Sequence, residues 1–472
     1  MPTIGETFYL AFPVFRDVFA TAKGVVLNRQ RYGAHYRAAV PQVRERSGWT
    51  PAQISEYQTR RLRHVVEIAG RHVPYYRELF QRLGISARDI RDSHDLRHLP
   101  ILEKDAVRAN PLQFLDERLS PEALLEDTTT GTTGTPIRVL MTRKIQQAHY
   151  AYFEARCRQV AGLQYGKHPF ATFGVRRVVS LKRQKAPFWC YNFAGNQLYM
   201  SVYHLAPQYL RHYCQELKRR PYQALIGFPS ALSALAQYAL DENIHDLKIP
   251  IAITSGEILQ PRQRSKIEQA FGSRVFDQFG CAEMAVFASE GPCRRMHVSL
   301  DYGIVEIVNG KDEPVAPGQT GELICTGLVN DAQVFLRYRL GDMVSLDEGR
   351  CECGSMFPVF SSLDGRAAHA IILADGRKLF RMSAIDADVP SVKEYQIVQE
   401  AIGIFTFNVV PAENFCDADK QKLIANLIAN VGPADVRIQL VDQIVRGRGG
   451  KFASILSNVR PSETPHVLSL KG

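Results

Sequence analysis

T-T-T-G-T-T-G-T-P, Thr128 to Pro136, sets threonines and glycines side by side, and the apolar positions Ile137, Val139 and Leu140 follow at once. Glycine lets backbone N–H groups come close to a ligand, and threonine hydroxyls add further donors. A loop of this kind suits a polyanion, and the phosphates of ATP are the obvious one. It is not a Walker A loop, because no Gly-Lys-Ser/Thr closes it. An exposed turn is the plainer reading of these residues alone. The decision rests on what surrounds them.

At 472 residues the chain suits two or three domains rather than one. Its 45% apolar and 22% charged residues are those of an ordinary globular protein. The formal charge of +10 favours anionic partners such as nucleotides or acyl carriers. No stripe of basic residues interleaved with aromatics stands out, so nucleic acid is not expected. The opening residues are apolar, but Glu6 interrupts them and no basic region precedes, unlike a signal peptide. No apolar run is long enough to span a bilayer, and no stable membrane insertion is expected. A peripheral membrane role for Phe8 to Phe19 competes with packing on the main domain, and packing is preferred. Nine cysteines, mostly scattered singly, point to reduced thiols and a cytoplasmic setting.

Along the chain, Thr50-Pro51 reads as an N-cap followed by proline at the first helical position. Ile54, Tyr57, Leu62, Val65 and Ile68 recur near helical spacing, and Gly70 is expected to end the pattern. A long helix is expected over Lys144 to Val160. The basic segment Arg176 to Lys185 reads as a solvated loop that could meet phosphate. Three apolar runs each end at a turn, A-L-I-G-F-P-S from Ala224, P-I-A-I-T-S-G-E from Pro250 and R-V-F-D-Q-F-G from Arg274, with helices after the first two. Strands alternating with helices argue for an α/β sheet, whose ligands belong at the carboxyl ends of the strands. From Tyr302 the period changes to two, over Ile304 to Val308, Gly321 to Thr326 and Val334 to Arg339, which predicts an antiparallel region. Beyond Arg366 comes an α+β unit of about a hundred residues, with strands near Ala370, Tyr395, Phe405 and Val436 and a helix over Ala418 to Val431. The expected domains are 1–365, made of a helical part to about 110, an α/β core over about 111–300 and an antiparallel part over about 301–362, and 366–472 as a small lid.

Four stretches in order, T-T-T-G-T-T-G-T-P, F-D-Q-F-G-C-A-E-M, R-Y-R-L-G-D-M and G-R-G-G-K-F, resemble the motifs of the adenylate-forming ligases. The resemblance is to the branch of phenylacetate–CoA ligase and the CapK-type proteins. It runs over nearly the whole chain, with H-V-P-Y-Y-R-E from His72, L-P-I-L-E-K from Leu99 and T-S-G-E from Thr254 as further pieces. It implies that Thr130, Gly131, Thr132, Thr133, Gly134 and Thr135 hold the ATP phosphates. Many members have lysine where this chain has Thr135. Gly256 and Glu257 would lie against adenine, with Phe279 and Gly280 at the base. Glu283 would bind Mg²⁺, a hard ion that takes carboxylate oxygen. Asp342 would accept both ribose hydroxyls, and Arg339 and Arg366 would meet ribose or phosphate. Lys451 would meet carboxylate and α-phosphate, offsetting their repulsion in the transition state. The family's acidic hinge pair is replaced by Gly365-Arg366-Ala367-Ala368-His369. That departure bears on the second half-reaction and on CoA as acceptor.

Cys293-x3-His297 and Cys351-x-Cys353-Gly354 together make a Cys₃His set, a usual closed zinc site. Such an ion would be structural. The expected function is ATP-dependent, AMP-forming ligation of a carboxylic acid, aromatic or apolar, to a thiol such as CoA. Phe228, Trp189 and His204 are candidate acyl-pocket residues, with core packing as the competing role. The rivals are an amide ligase with an amine acceptor and a non-catalytic nucleotide-binding protein of polysaccharide or natural-product assembly. A homodimer is left open.

Overall fold

A computed structural model describes residues 15–129, 136–174, 176–347, 349, 351–366, 370–379, 382, 385–386, 388–446 and 451–459. The chain divides into two compact units, 1–340 with 344–362, and 341–343 with 363–472. Among the described residues no helix is long and apolar enough to cross a membrane.

The first unit opens with helices α1 (Arg16–Arg31), α2 (Ala34–Glu45), α3 (Pro51–His72), α4 (Pro74–Leu83) and α5 (Lys104–Ala109). Thr50 caps α3 as its sequence predicts: its hydroxyl accepts from the Gln53 N–H and the Gln53 side chain returns to the Thr50 N–H. The helix runs past Gly70 to His72 and stops where Pro74 forces Val73 into an extended conformation. Gly70 stays helical because its bare Cα faces the ring of Phe80 on α4, where a Cβ would come within 2.9 Å.

A two-stranded hairpin follows, β1 (Leu125–Thr128) against β2 (Arg138–Met141), then helix α6 (Arg143–Tyr152) and a π-helical turn, Phe153–Arg158. The remaining elements of this unit are β3 (Phe170–Gly174), β4 (Trp189–Asn192), β5 (Gln197–Ser201), α7 (Pro207–Leu217), β6 (Ala224–Gly227), α8 (Pro229–Asp241), β7 (Ile251–Ser255), α9 (Pro261–Phe271), β8 (Arg274–Gly280), β9 (Phe287–Glu290), β10 (Met296–Val298), β11 (Gly303–Val308), β12 (Gly321–Gly327), β13 (Tyr338–Leu346) and β14 (Val359–Arg366). The last two strands run across the boundary between the units.

These strands form one twelve-stranded sheet in the order β11-β12-β13-β14-β10-β9-β8-β7-β6-β3-β5-β4. Strands β5, β3, β6, β7 and β8 are parallel; β9 turns antiparallel to β8 and β10 to β9. The expected α/β core and antiparallel region are therefore one continuous sheet, joined at β8–β9. The expected strand at Val334 begins only at Tyr338, because Arg337 sits at φ 47° and its N–H is taken by the Thr326 hydroxyl rather than by a ladder.

Between the sheet and α7, α8 and α9 lies a core that includes Phe173, Leu225, Leu232, Leu235 and Phe271, all fully buried. Burying each such side chain contributes roughly 1.5–3 kcal/mol. Gly227 ends β6 without a side chain for a reason of space. A Cβ there would lie 2.6 Å from the Phe173 carbonyl oxygen on β3. The helical N-terminal part is tied to the sheet by a buried charge cluster: Asp301 Oδ2 accepts from Arg46 Nε at 2.7 Å and from Arg156 Nη2 at 3.1 Å.

The second unit holds a hairpin of β15 (Ile371–Ile372) and β16 (Lys378–Leu379), and a four-stranded sheet. Its order is β19 (Asp435–Leu440), β18 (Ile404–Pro411), β17 (Val392–Ala401), β20 (Ile455–Ser457). Helix α10 (Asp417–Val431) buries Leu423 and Leu427 against Ile397, Phe405 and Phe407.

Candidate active site and metal centre

Because β6, β7 and β8 are parallel, their carboxyl ends bring three turns to the same end of the sheet, at Phe228-Pro229, Gly256 and Gly280. Gly256 has φ 79°, a conformation that costs a residue with a Cβ. That turn aims Glu257 back at α8. Its carboxylate accepts from the Ser230 N–H and from the Ser230 hydroxyl, both at 3.1 Å. Phe228, at the N-cap of α8, offers no side-chain cap of its own, so Glu257 supplies the anion that a helix start favours.

On β8, Gln278 carries a buried side-chain carbonyl with no hydrogen-bond partner among the described residues. An orphaned acceptor at a strand end fits a ligand with an N–H donor, as a nucleobase amino group has. Phe279 beside it packs edge-on against Phe360, ring centres 5.9 Å apart. Three residues past Gly280, Glu283 is buried and accepts a 2.8 Å hydrogen bond from the Tyr338 hydroxyl. A buried carboxylate held by one neutral donor keeps oxygen lone pairs for a cation.

Beneath these turns lies a buried acid pair. Asp277 accepts from the Thr254 hydroxyl at 2.7 Å, and its own N–H donates to Glu290 Oε2 at 2.9 Å. Glu290 Oε1 is taken by Arg264 at 2.5 Å. Burial pushes the Asp277 carboxyl up to about 7; the Thr254 bond opposes this and the Glu290 charge adds to it.

Thr130 to Thr135 lie outside the described residues. On either side of them the hairpin is closed by Thr129 N–H to the Ile137 carbonyl at 3.1 Å and Ile137 N–H to the Thr129 hydroxyl at 2.9 Å. Arg339 is engaged by three carboxylates, of Glu103, Asp312 and Glu322, at 2.6–2.8 Å. Trp189 packs on Tyr213. Phe228 and His204 are buried in the core, where His204 stacks on Phe188 and its Nδ1 meets the Ser201 hydroxyl at 2.9 Å. Burial lowers the pKa of His204. In the second unit, Asp342 pairs with Arg366 Nε at 3.2 Å, and Lys451 is half-buried on the segment leading into β20.

The sequence reading did not single out Tyr338, Ser230, Asp277 or Gln278 as site residues. Tyr338 stands inside R-Y-R-L-G-D-M and Asp277 and Gln278 inside F-D-Q-F-G-C-A-E-M, so their signal was membership of a motif. Ser230 carried none, because its partner is 27 residues away.

The four metal-ligand candidates come together. Ligand atoms of Cys293, His297, Cys351 and Cys353 all lie within 4.8 Å of one another. Cys351 Sγ is 3.7 Å from Cys293 Sγ, and His297 Nε2 is 3.4 Å from Cys353 Sγ and 4.0 Å from Cys293 Sγ. A tetrahedron with the usual zinc bond lengths has S···S edges of about 3.8 Å and S···N edges of about 3.6 Å. A disulfide would need about 2.05 Å. Burial pushes the Cys293 thiol up to about 11, a cost that a divalent cation would reverse by taking the thiolate. His297 on β10 pairs with Val359 on β14, so the set links the β9–β10 turn to the β13–β14 connection.

Residues 375–458 match the CapK C-terminal domain. The chain is 28% identical over 340 residues to Protein CapK of Staphylococcus aureus, covering 71% of each chain. It is 22% identical over 433 residues to the phenylacetate–coenzyme A ligase of Thermus thermophilus, covering 84% of this chain and 95% of that one. The chain is a relative of CapK and the phenylacetate–coenzyme A ligases. The fold agrees: 2-hydroxyisobutyryl-CoA ligase, solved in its postadenylation state, superposes with a TM-score of 0.70 at 19% identity, covering 88% of this chain and 91% of that one. This CapK-like chain thus carries the mixed α/β architecture of the adenylate-forming CoA ligases, with a separate C-terminal domain.

Proposed function

We propose that the chain is an ATP-dependent, AMP-forming acid–CoA ligase. The observation that carries the reading is the buried Glu283–Tyr338 pair at the end of β8, beside the orphaned Gln278 carbonyl and the Gly256 turn. It has the support of relatives that are acid–CoA ligases. A substrate carboxylate oxygen attacks the α-phosphorus of ATP and pyrophosphate leaves. The CoA thiol then adds to the acyl carbon, its proton is lost, and AMP departs with the bond electrons. Splitting one condensation into two steps lowers each barrier.

Glu283 would hold magnesium, which neutralises phosphate charge. Tyr338 keeps the Glu283 carboxylate oriented. Asp342 is the proposed ribose acceptor and Lys451 the proposed cation at the α-phosphate. Cys293, His297, Cys351 and Cys353 would hold zinc as a structural clamp, since four protein ligands leave no open position. The acid is proposed to be apolar or aromatic.

The test is pyrophosphate release from a panel of carboxylic acids, with CoA and amines supplied in turn. Acid-dependent release and a CoA thioester are expected, and Glu283→Gln should lower the rate about 10²-fold or more by removing transition-state charge stabilisation. Release that rises with amines and ignores CoA would reassign the acceptor. Absence of any acid-dependent release would refute the reading.

A further inference from the structure

Helix α1 has two opposite faces. On the inner one, Ala20 and Gly24 are buried, and Gly24 meets the side chain of Asn192. The same face bonds to the sheet's last strand, β4, and the turn after it. Asp17 Oδ1 accepts from the Tyr191 N–H at 2.8 Å, the Thr21 hydroxyl accepts from the Phe193 N–H at 3.1 Å, and Asn28 Nδ2 donates to the Ala194 carbonyl at 2.7 Å.

The outer face carries Val18, Ala22, Val25 and Val26, the i, i+4, i+7, i+8 spacing of a single helical stripe. A stripe with that spacing normally faces a core, and this one faces out. Val18, Val25 and Val26, with Phe15 at the start of the helix and Phe193 in the bonded turn, are each 40–63% exposed. These five are more than a third of the thirteen large exposed hydrophobic residues among the described residues. Apolar side chains scattered singly need no explanation, but a cluster does.

A basic loop reaches the same helix. The loop carrying Lys182, Arg183 and Lys185 reaches the first turn of α1, where Arg16 donates to the Pro187 carbonyl at 3.3 Å. Arg183 is close enough to add to the effect of burial in lowering the pKa of Arg16. Arg29 stands exposed at the far end of the stripe.

We infer that this face docks the protein on an anionic lipid surface, with the apolar stripe in the interface and Lys182, Arg183 and Lys185 at the headgroups. Apolar area together with attraction to anionic lipid is what makes a helix lie in an interface. A second protein chain would explain the stripe but not the basic loop at the same helix. The inference is independent of the ligase reading.

The test is sedimentation of the full chain with phosphatidylcholine vesicles, with and without phosphatidylglycerol. Binding is expected only with the anionic lipid. Val18→Asp/Val25→Asp should weaken it at least tenfold, and Lys182→Glu/Lys185→Glu by roughly fivefold or more per charge. Far-UV circular dichroism checks that each variant is folded, and Val26→Ser is the milder alternative if the double aspartate is not. Four outcomes overturn the inference. These are no binding to either vesicle, equal binding to both, binding lost on charge reversal but indifferent to the valines, and self-association that the valine variants abolish. The last would mean that a second copy covers the stripe.

Discussion

Asp277→Asn isolates one buried proton. In the folded chain the Asp277 carboxyl titrates at about 7, against 3.8 for the unfolded value. Its folded pKa is raised, so the folded chain holds the proton that the unfolded chain releases. The group's contribution to stability is therefore greatest below the unfolded pKa and is lost as pH rises through the folded one. At 1.36 kcal/mol per pKa unit the full span is about 4 kcal/mol. Roughly 1.7 kcal/mol of that is already lost at pH 5, so about 2.6 kcal/mol remains to be lost between pH 5 and pH 8. Asparagine carries no charge at either pH, keeps an acceptor for the Thr254 hydroxyl and leaves the backbone N–H to Glu290 in place. The stability of the variant relative to wild type should therefore rise by roughly 2–3 kcal/mol from pH 5 to pH 8. Guanidinium unfolding of both proteins at several pH values measures it, and titrating groups other than Asp277 and its partner Glu290 cancel in the difference. A difference that stays constant across that range would refute the protonated buried carboxyl.

Cys351→Ser should take bound zinc from about one per chain to near none by metal analysis, and lower the melting temperature, as chelation of the wild type should too. Asp301→Ala strands the buried guanidiniums of Arg46 and Arg156, so unfolding free energy should fall by about 3–5 kcal/mol, measured by denaturant titration. Glu257→Ala and Ser230→Ala should each raise the KM for ATP, and the double variant should be no worse than the poorer single one. Additive losses in that cycle would show that the bond between them does not position the turn.

Much of this was readable from residue order because the determinants are local. Thr50-Pro51 announces a helix start through one cap and one φ constraint, and each of the runs from Ala224, Pro250 and Arg274 announces a buried strand with its turn. The Cys₃His grouping was readable because each half is a tight pair on its own turn. What was not readable depends on register. That the antiparallel strands continue the parallel sheet follows from β8 and β9 pairing Gln278 with Ser289, which no periodicity encodes. Helix α3 runs past Gly70 because a glycine expected as a C-cap serves instead the close approach of Phe80. Arg339 was read as a ligand contact from its motif, and three carboxylates brought from elsewhere in the chain surround it.

Strand β4 ends the twelve-stranded sheet, and the polar side of α1 occupies backbone groups at and just after it. An uncovered terminal strand is a template on which another chain can add. Asp17, Thr21 and Asn28 thus act as guards against polymerisation, and a version of the protein starting at Tyr32 should form β-rich assemblies even where its remaining fold is intact.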